Sequence, residues 1–328
     1  MRIGLIGLGN LGTAVGNMVA HNGYEVLGWN YQSEVVDEIN ERHTNNLFLP
    51  GISLHPALQA TKEIMDVFDS CGVVFVAIPS VFVASTLRPL QERIGRDVIL
   101  VNMAKGINQV TGLTSYQTLA AMFPDNSCIM LSGPSIANEF ARKMPTVVML
   151  AAQSRIDLLL VSHILDNDYF RTRFSDDTIG VELGGILKNI YAIGLGLFDG
   201  KHITSINFRA VYLTIALEEI ARIGVAMGAD IETFLYLSGM GDLLATSLSE
   251  HSHNRHMGDL LAQGLSREQI RENMGVLPEG YNTLQAVLYI AEKLHVSIPL
   301  AKGLWDVING RIEADLFIFS FIKDFVES

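Results

Sequence analysis

Hydrophobic and polar positions divide the chain into two halves with different periods. In the first half short apolar runs recur at residues 2–6, 24–29, 73–78, 98–101, 128–131 and 145–150. Each is continuous rather than alternating, the pattern of a strand buried on both faces of a parallel sheet. Residues 151–178 complete this part. From Val181 onward strand-like runs disappear and apolar residues recur every three to four positions, as on helices. Residues 208–227 form one long helical pattern, and Ser266 with Gln269 makes a capping box for another. The 328 residues exceed one ordinary core, so two domains are expected, 1–178 and 179–328.

The stretch from Gly180 to Gly200 holds one cation, Lys188, inside a long apolar helical pattern. Ile186, Ile190, Ile193 and Leu197 make a buried stripe. Lys188 lies off that stripe, with Gly184, Gly185, Tyr191 and Ala192 on its own face, which is mostly small and suits close approach of a ligand. Desolvation lowers the proton affinity of an ammonium, bringing a lysine toward acid–base work at neutral pH. A lysine snorkelling at a helix surface is the plainer alternative.

The first strand runs into Gly7-Leu8-Gly9-Asn10-Leu11-Gly12 and then a helix to about Gly23. This G-x-G-x-x-G in strand–turn–helix context lets a pyrophosphate reach the helix N-terminus, so a dinucleotide cofactor and a Rossmann-like domain are expected. The second strand ends at Asn30, without the Asp or Glu that selects NAD or an Arg that selects NADP, and the choice between them stays open. Later strands end at Pro79-Ser80, at Asn102 to Gly106 with Lys105, and at Ser132-Gly133-Pro134-Ser135. Ligands of open α/β sheets sit outside such carboxyl ends. The fold class is therefore a mostly parallel, doubly wound α/β domain followed by an all-α domain.

In the second half, Gly239-Met240-Gly241-Asp242 sets a carboxylate on a glycine turn, which caps a helix or, if it reaches Lys188, orients the ammonium. Ser252-His253-Asn254-Arg255 and Glu279-Gly280-Tyr281 lie in further polar stretches. The tail, residues 316–322, is strongly aromatic and is expected to dock on its own domain or on a dimer partner, transient membrane contact being a lesser alternative.

A net charge of −12 and no Lys/Arg cluster argue against a nucleic-acid partner, while leaving room for one small phosphate. Cys71 and Cys128 are too few for a disulfide framework or a cysteine metal site and are expected as core thiols. No run of some 18 uninterrupted apolar residues argues for an integral membrane segment. A cytoplasmic protein is expected.

Together these motifs resemble the NAD(P)-dependent glycerol-3-phosphate dehydrogenase family. The resemblance rests on Gly7 to Gly12 with Thr13-Ala14, Asn46 to Gly51, Val76 to Ser80, Lys105-Gly106, Leu131 to Ser135, Gly180 to Asn189, Gly239 to Asp242 and Glu279 to Tyr281. It implies reversible hydride transfer between NAD(P)H and dihydroxyacetone phosphate, supplying glycerol 3-phosphate for glycerophospholipid synthesis, in a homodimer. It also implies roles for single residues. Lys188 is the proton donor and acceptor, Lys105 polarises and holds substrate, and Asp242, Asn189 and Thr246 order the Lys188 network. Gly133, Ser135, Ser252, His253, Asn254 and Arg255 are substrate-side residues. Gly7, Gly9, Asn10, Leu11, Gly12, Asn30, Pro79, Lys105, Ala137, Arg255 and Glu279 are cofactor-side residues. The family carries arginine where this chain has His253, and histidine cannot form a bidentate fork with phosphate. Either Arg255 replaces it, or phosphate affinity falls, or the substrate is another small 2-keto or 2-hydroxy compound. A nucleotide-binding regulator without turnover is the alternative from another class.

Overall fold

The computed structural model describes residues 1–109, 111–249 and 252–326. It divides into two compact units, one of residues 1–105 and 113–181, the other of residues 106–112 and 182 onward.

The first unit is built on one sheet of eight strands, β1 (Arg2–Ile6), β2 (Glu25–Trp29), β3 (Leu58–Thr61), β4 (Val73–Val76), β5 (Ile99–Asn102), β6 (Cys128–Ser132), β7 (Thr146–Ala151) and β8 (Phe170–Ser175), in the order 3-2-1-4-5-6-7-8. All neighbours run parallel except β6 and β7. Alternate side chains feed two cores. Ile3, Leu5, Phe75 and Val101 pack with Val15, Val19, Val36 and Val161 on one face. Ile6, Val74, Val76 and Leu100 pack with Val67, Val83, Leu87 and Leu119 on the other. This is why the central strands read as unbroken apolar runs, and it makes the sheet doubly wound as expected. The short edge strand β3 and the polar strand β8 (FRTRFS) are additions to the sequence pattern. Cys71 is buried and Cys128 half-buried, and burial pushes the Cys128 thiol up to about 12.

The second unit is helical among its described residues. At its centre runs the helix Thr178–Gly200, the one described helix long and apolar enough to cross a membrane, with 94% of its apolar window buried inside the protein. Between Val181 and Phe198 only Lys188 and Asn189 escape full burial. This helix carries no simple one-sided stripe but is apolar all round, the signature of a core helix. The residues 106–112 segment joins the unit through Gln109, whose Nε2 donates to Asn282 Oδ1 at 3.1 Å. The aromatic tail forms the helix Ala314–Val326 and docks on its own unit. Phe321 meets Phe208 and Tyr212 at ring distances of 5.4 and 5.7 Å, while Phe319 stays exposed. The side chain of Ile322 lies outside the described residues.

Candidate active site

In the sheet unit the register aligns Ile6, Val76, Asn102 and Met130 on four adjacent parallel strands, so their carboxyl ends form one row. Gly7 leaves β1 at φ +104°, a conformation open chiefly to glycine. A Cβ on Gly12 would overlap the Gly7 carbonyl oxygen, so this glycine closes the turn. Gly9 differs from both: nothing lies within 4 Å of where its Cβ would be. It precedes the helix Asn10–His21 as N-cap with no side-chain cap. The helix N-terminus is thus open to an anion on the glycine side. Asn10 Nδ2 donates to the Phe48 carbonyl at 2.6 Å and to Asn138 Oδ1 at 3.1 Å, and Leu11 packs against the core of this unit. Pro79 is the N-cap of the helix Ser80–Leu87 at the end of the next strand. Asn30 is buried and its Oδ1 accepts from the Gln32 amide at 2.9 Å, closing the turn after β2.

Further along the same row, Lys105 Nζ donates to the Gly133 carbonyl at 3.5 Å, and Ser135 Oγ donates to that carbonyl at 3.1 Å. Gly133 sits at φ +107°, so a glycine is required where the backbone turns that oxygen toward both groups. Ala137 is buried in the first turn of the helix Ala137–Phe140. Asn102, wholly buried, donates from Nδ2 to the Ala104 carbonyl at 3.1 Å and holds the turn that leads to Lys105.

In the helical unit, Lys188 reaches two acceptors on one short helix, Asp242–Leu248. Its Nζ donates to Asp242 Oδ1 at 2.5 Å and to Thr246 Oγ1 at 2.6 Å. The Lys188 side chain is 12% exposed and that of Asp242 2% exposed, so this is a largely buried, oriented ammonium and not a snorkelling one. The face on which Lys188 lies is not open to a ligand along its whole length, contrary to the expectation from its small residues. A Cβ on Gly184 would overlap the Ser238 carbonyl: the chain's own π-helical turn, Leu237–Gly241, fills that space and delivers Asp242 to the lysine. Tyr191 is buried too, donating from its hydroxyl to Glu219 at 3.0 Å.

The helix His253–Ala262 crosses the Lys188 helix backbone to backbone. A Cβ on Gly196 would overlap the Arg255 carbonyl, and one on Gly258 the Ile193 carbonyl. Ser252 caps this helix by accepting from the Arg255 amide, and His253 is exposed beside it. Asn254 Oδ1 accepts from the Gly280 amide at 2.9 Å, at the start of the helix Glu279–Lys293. Arg255 is committed elsewhere than expected. Its Nε donates to Asp199 Oδ2 at 2.8 Å, and its Nη1 donates to the carbonyls of Ser247 and Ser249 at 2.9 and 2.6 Å.

Comparison with known proteins identifies the family. The family model for the NAD-dependent glycerol-3-phosphate dehydrogenase N-terminus matches residues 2–156, and that for the C-terminus matches residues 177–318. The chain belongs to the NAD-dependent glycerol-3-phosphate dehydrogenase family. A glycerol-3-phosphate dehydrogenase [NAD(P)+] of Enterococcus faecalis is 36% identical over 310 residues, 94% of this chain and 91% of the relative. One from Citrifermentans bemidjiense is 36% identical over 94% of this chain and 92% of the relative. The crystal structure of glycerol-3-phosphate dehydrogenase from Coxiella burnetii superposes with a TM-score of 0.91 at 28% identity, covering 98% of each chain.

As a member of this dehydrogenase family the protein is an NAD(P)-dependent oxidoreductase acting on a CH–OH group. The sheet unit fits a dinucleotide on its own geometry: open space at Gly9, an uncapped helix N-terminus and a Gly7 turn held in a conformation that favours glycine. Two features escaped the sequence. The π-helical turn bearing Asp242 carries no signal beyond Gly239 and Gly241. Asp199, which gathers Arg255 and Arg209, is the other; its signal is an acid near the end of the same largely apolar helix as Lys188.

Proposed function

We propose that the protein catalyses reversible interconversion of dihydroxyacetone phosphate and sn-glycerol 3-phosphate, with Lys188 as the proton donor and acceptor at the C2 oxygen. The observation that carries this role is the short, largely buried Lys188–Asp242–Thr246 constellation, with Lys188 the one cation of a largely apolar helix. When bound, the nicotinamide supplies or accepts the hydride at substrate C2. Gly7, Gly9 and Gly12 with the first turn of Asn10–His21 hold its pyrophosphate, and Asn30, Pro79, Ala137 and Glu279 are the further cofactor-side residues. As negative charge grows on the C2 oxygen, the Lys188 ammonium stabilises it and gives up a proton from Nζ. Asp242 and Thr246 fix the direction of Nζ, and Asn189 stands beside it on the same helix. Lys105 is a second cation for substrate, held by Gly133 next to Ser135. His253, exposed at the start of its helix with Ser252 and Asn254, stands where the family resemblance has arginine. The product serves glycerophospholipid synthesis in the cytoplasm, and the working form is a homodimer, consistent with the exposed apolar side chains of Ile231, Leu235 and Leu248 in the helical unit.

The test is NADH and NADPH oxidation by the purified protein with a panel of small carbonyl compounds. Dihydroxyacetone phosphate is expected to give the highest kcat/KM. A higher value for an unphosphorylated 2-keto acid would overturn the substrate assignment, and the ratio of the two cofactors answers what Asn30 leaves open. Sedimentation of the purified chain at twice the protomer mass is the expected outcome for the dimer.

A further inference from the structure

We infer that Arg255 and Asp199 are positioning residues for the Lys188 site, and that Arg255 is not a phosphate ligand. This rests on the catalytic role proposed for Lys188. Asp199 lies one residue from the end of the Lys188 helix and takes two arginines. Its Oδ1 accepts from Arg209 Nη2 at 2.7 Å, and its Oδ2 from Arg255 Nε at 2.8 Å with Arg255 Nη2 at 2.7 Å. The Arg209 guanidinium is fixed in turn by donating to the Ile203 carbonyl at 3.0 and 2.9 Å.

The other edge of the Arg255 guanidinium ties a different element. Ser247 and Ser249, whose carbonyls accept from Nη1, stand at the carboxyl end of the helix that carries Asp242 and Thr246. The last carbonyls of a helix have no partners within it and favour a cation. One planar fork therefore links the Lys188 helix, through Asp199, to the helix that orients Lys188, and it does so from a third helix. The Lys188 ammonium meets Asp242 and Thr246 at 2.5 and 2.6 Å only if the first two helices keep their spacing. Gly184 against Ser238 sets that spacing at one point and Arg255 at another.

Turning Arg255 toward a substrate phosphate would surrender all of these contacts. It would leave the Asp199 carboxylate with one arginine and two helix carbonyls without their donor. The Arg255 backbone is fixed as well, its carbonyl lying against Gly196, so only a side-chain rotation that gives up these contacts could redirect the guanidinium. Lysine can replace this fork only in part, since a single ammonium does not span the carboxylate and both carbonyls.

The experiment compares wild type, Asp199→Asn, Arg255→Met and Arg255→Lys with dihydroxyacetone phosphate and with unphosphorylated dihydroxyacetone. A strut acts on both substrates alike, so kcat is expected to fall by the same factor for each. Small displacements of a reacting group cost up to about 100-fold, and roughly 10- to 100-fold is expected here for Asp199→Asn and Arg255→Met. Arg255→Lys is expected to recover part of the loss. A phosphate ligand behaves otherwise: Arg255→Met would raise KM for dihydroxyacetone phosphate only, and Asp199→Asn would keep wild-type kcat. That pattern would overturn the inference. Hydrogen exchange of the free protein decides independently of turnover. Asp199→Asn is expected to speed amide exchange in residues 242–248 by about tenfold or more, and unchanged protection there would overturn the strut even if wild type proved inactive on both substrates, a result that would by itself count only against the proposed reaction.

Discussion

Replacing Asp242 by leucine is expected to strand the Lys188 ammonium, and the structure sets the size of the effect. Asp242 is 2% exposed and accepts from Nζ at 2.5 Å, while Thr246 supplies the neighbouring acceptor at 2.6 Å. Removing one partner of a buried pair costs about 3–5 kcal/mol because it leaves the other charge uncompensated. Thr246 still accepts one hydrogen bond, which places the expected cost near about 3 kcal/mol. Removing both charges is a different perturbation. Lys188→Met with Asp242→Leu exchanges the pair for apolar groups of similar volume, and such exchanges are often near neutral. The double variant should therefore lie within about 1 kcal/mol of wild type, giving a coupling of about 3 kcal/mol or more between the two positions. The helical unit has its own reporter in Trp305, which stacks on Tyr281 at 5.7 Å. Urea unfolding followed by tryptophan fluorescence in a Trp29→Phe background isolates that unit. A single Asp242→Leu cost under about 1 kcal/mol, or single costs that simply add, would refute the picture of a buried, mutually dependent ion pair.

Four further outcomes follow from particular residues. Gly9→Ala should leave the melting temperature unchanged yet raise KM for NAD(P)H, because the methyl group meets no protein atom and enters only the cofactor's space; Gly12→Ala, facing the Gly7 carbonyl, should destabilise instead, and equal thermal losses would contradict this. Gly184→Ala should shift the turn that carries Asp242, costing about 1–3 kcal/mol and lowering kcat together, as measured by unfolding and steady-state rates. His253→Arg should lower KM for dihydroxyacetone phosphate with little change for dihydroxyacetone, since only a phosphate profits from the bidentate fork. Glu219 is 1% exposed, and burial pushes its carboxyl from 4.5 up to about 7 despite bonds from Leu300, Ala301 and Tyr191. Between those values the folded state binds more protons than the unfolded one. This stabilisation is full below about pH 4.5 and is lost as pH rises through about 7, some 3 kcal/mol in all. The difference in unfolding free energy between wild type and Glu219→Gln should change by about that much across the window, and a constant difference would count against it.

What the sequence makes legible is what a short period or a local motif encodes. The central strands, the glycine turn, the long helix after Ser205 and the Ser266 capping box all follow from residues close together in the chain. The strand β3 was less visible because four residues at a sheet edge, LQAT, carry little apolar signal. Strand β8 hid behind Arg171 and Arg173. Within the site, the resemblance placed Asp242 and Thr246 near Lys188, but periodicity alone left Asp242 as an ordinary turn residue. The partner of Gly184 is a backbone carbonyl 54 positions on, and no pattern along the helix announces it. The contacts of Arg255 are hidden from the sequence for a related reason. Its charge is plain in the sequence, whereas its acceptors are a carboxylate 56 positions away and two main-chain oxygens, so only the folded chain shows that the guanidinium is engaged.

The most direct measurement is the single-turnover rate of NAD(P)H oxidation with saturating dihydroxyacetone phosphate, for wild type and Lys188→Ala, with cofactor binding followed separately by fluorescence. Loss of about 100-fold or more in the chemical step, with cofactor affinity unchanged, is the result expected if Lys188 moves the proton at the C2 oxygen. A Lys188→Ala enzyme that oxidises the cofactor at the wild-type rate would contradict the central role given to this lysine.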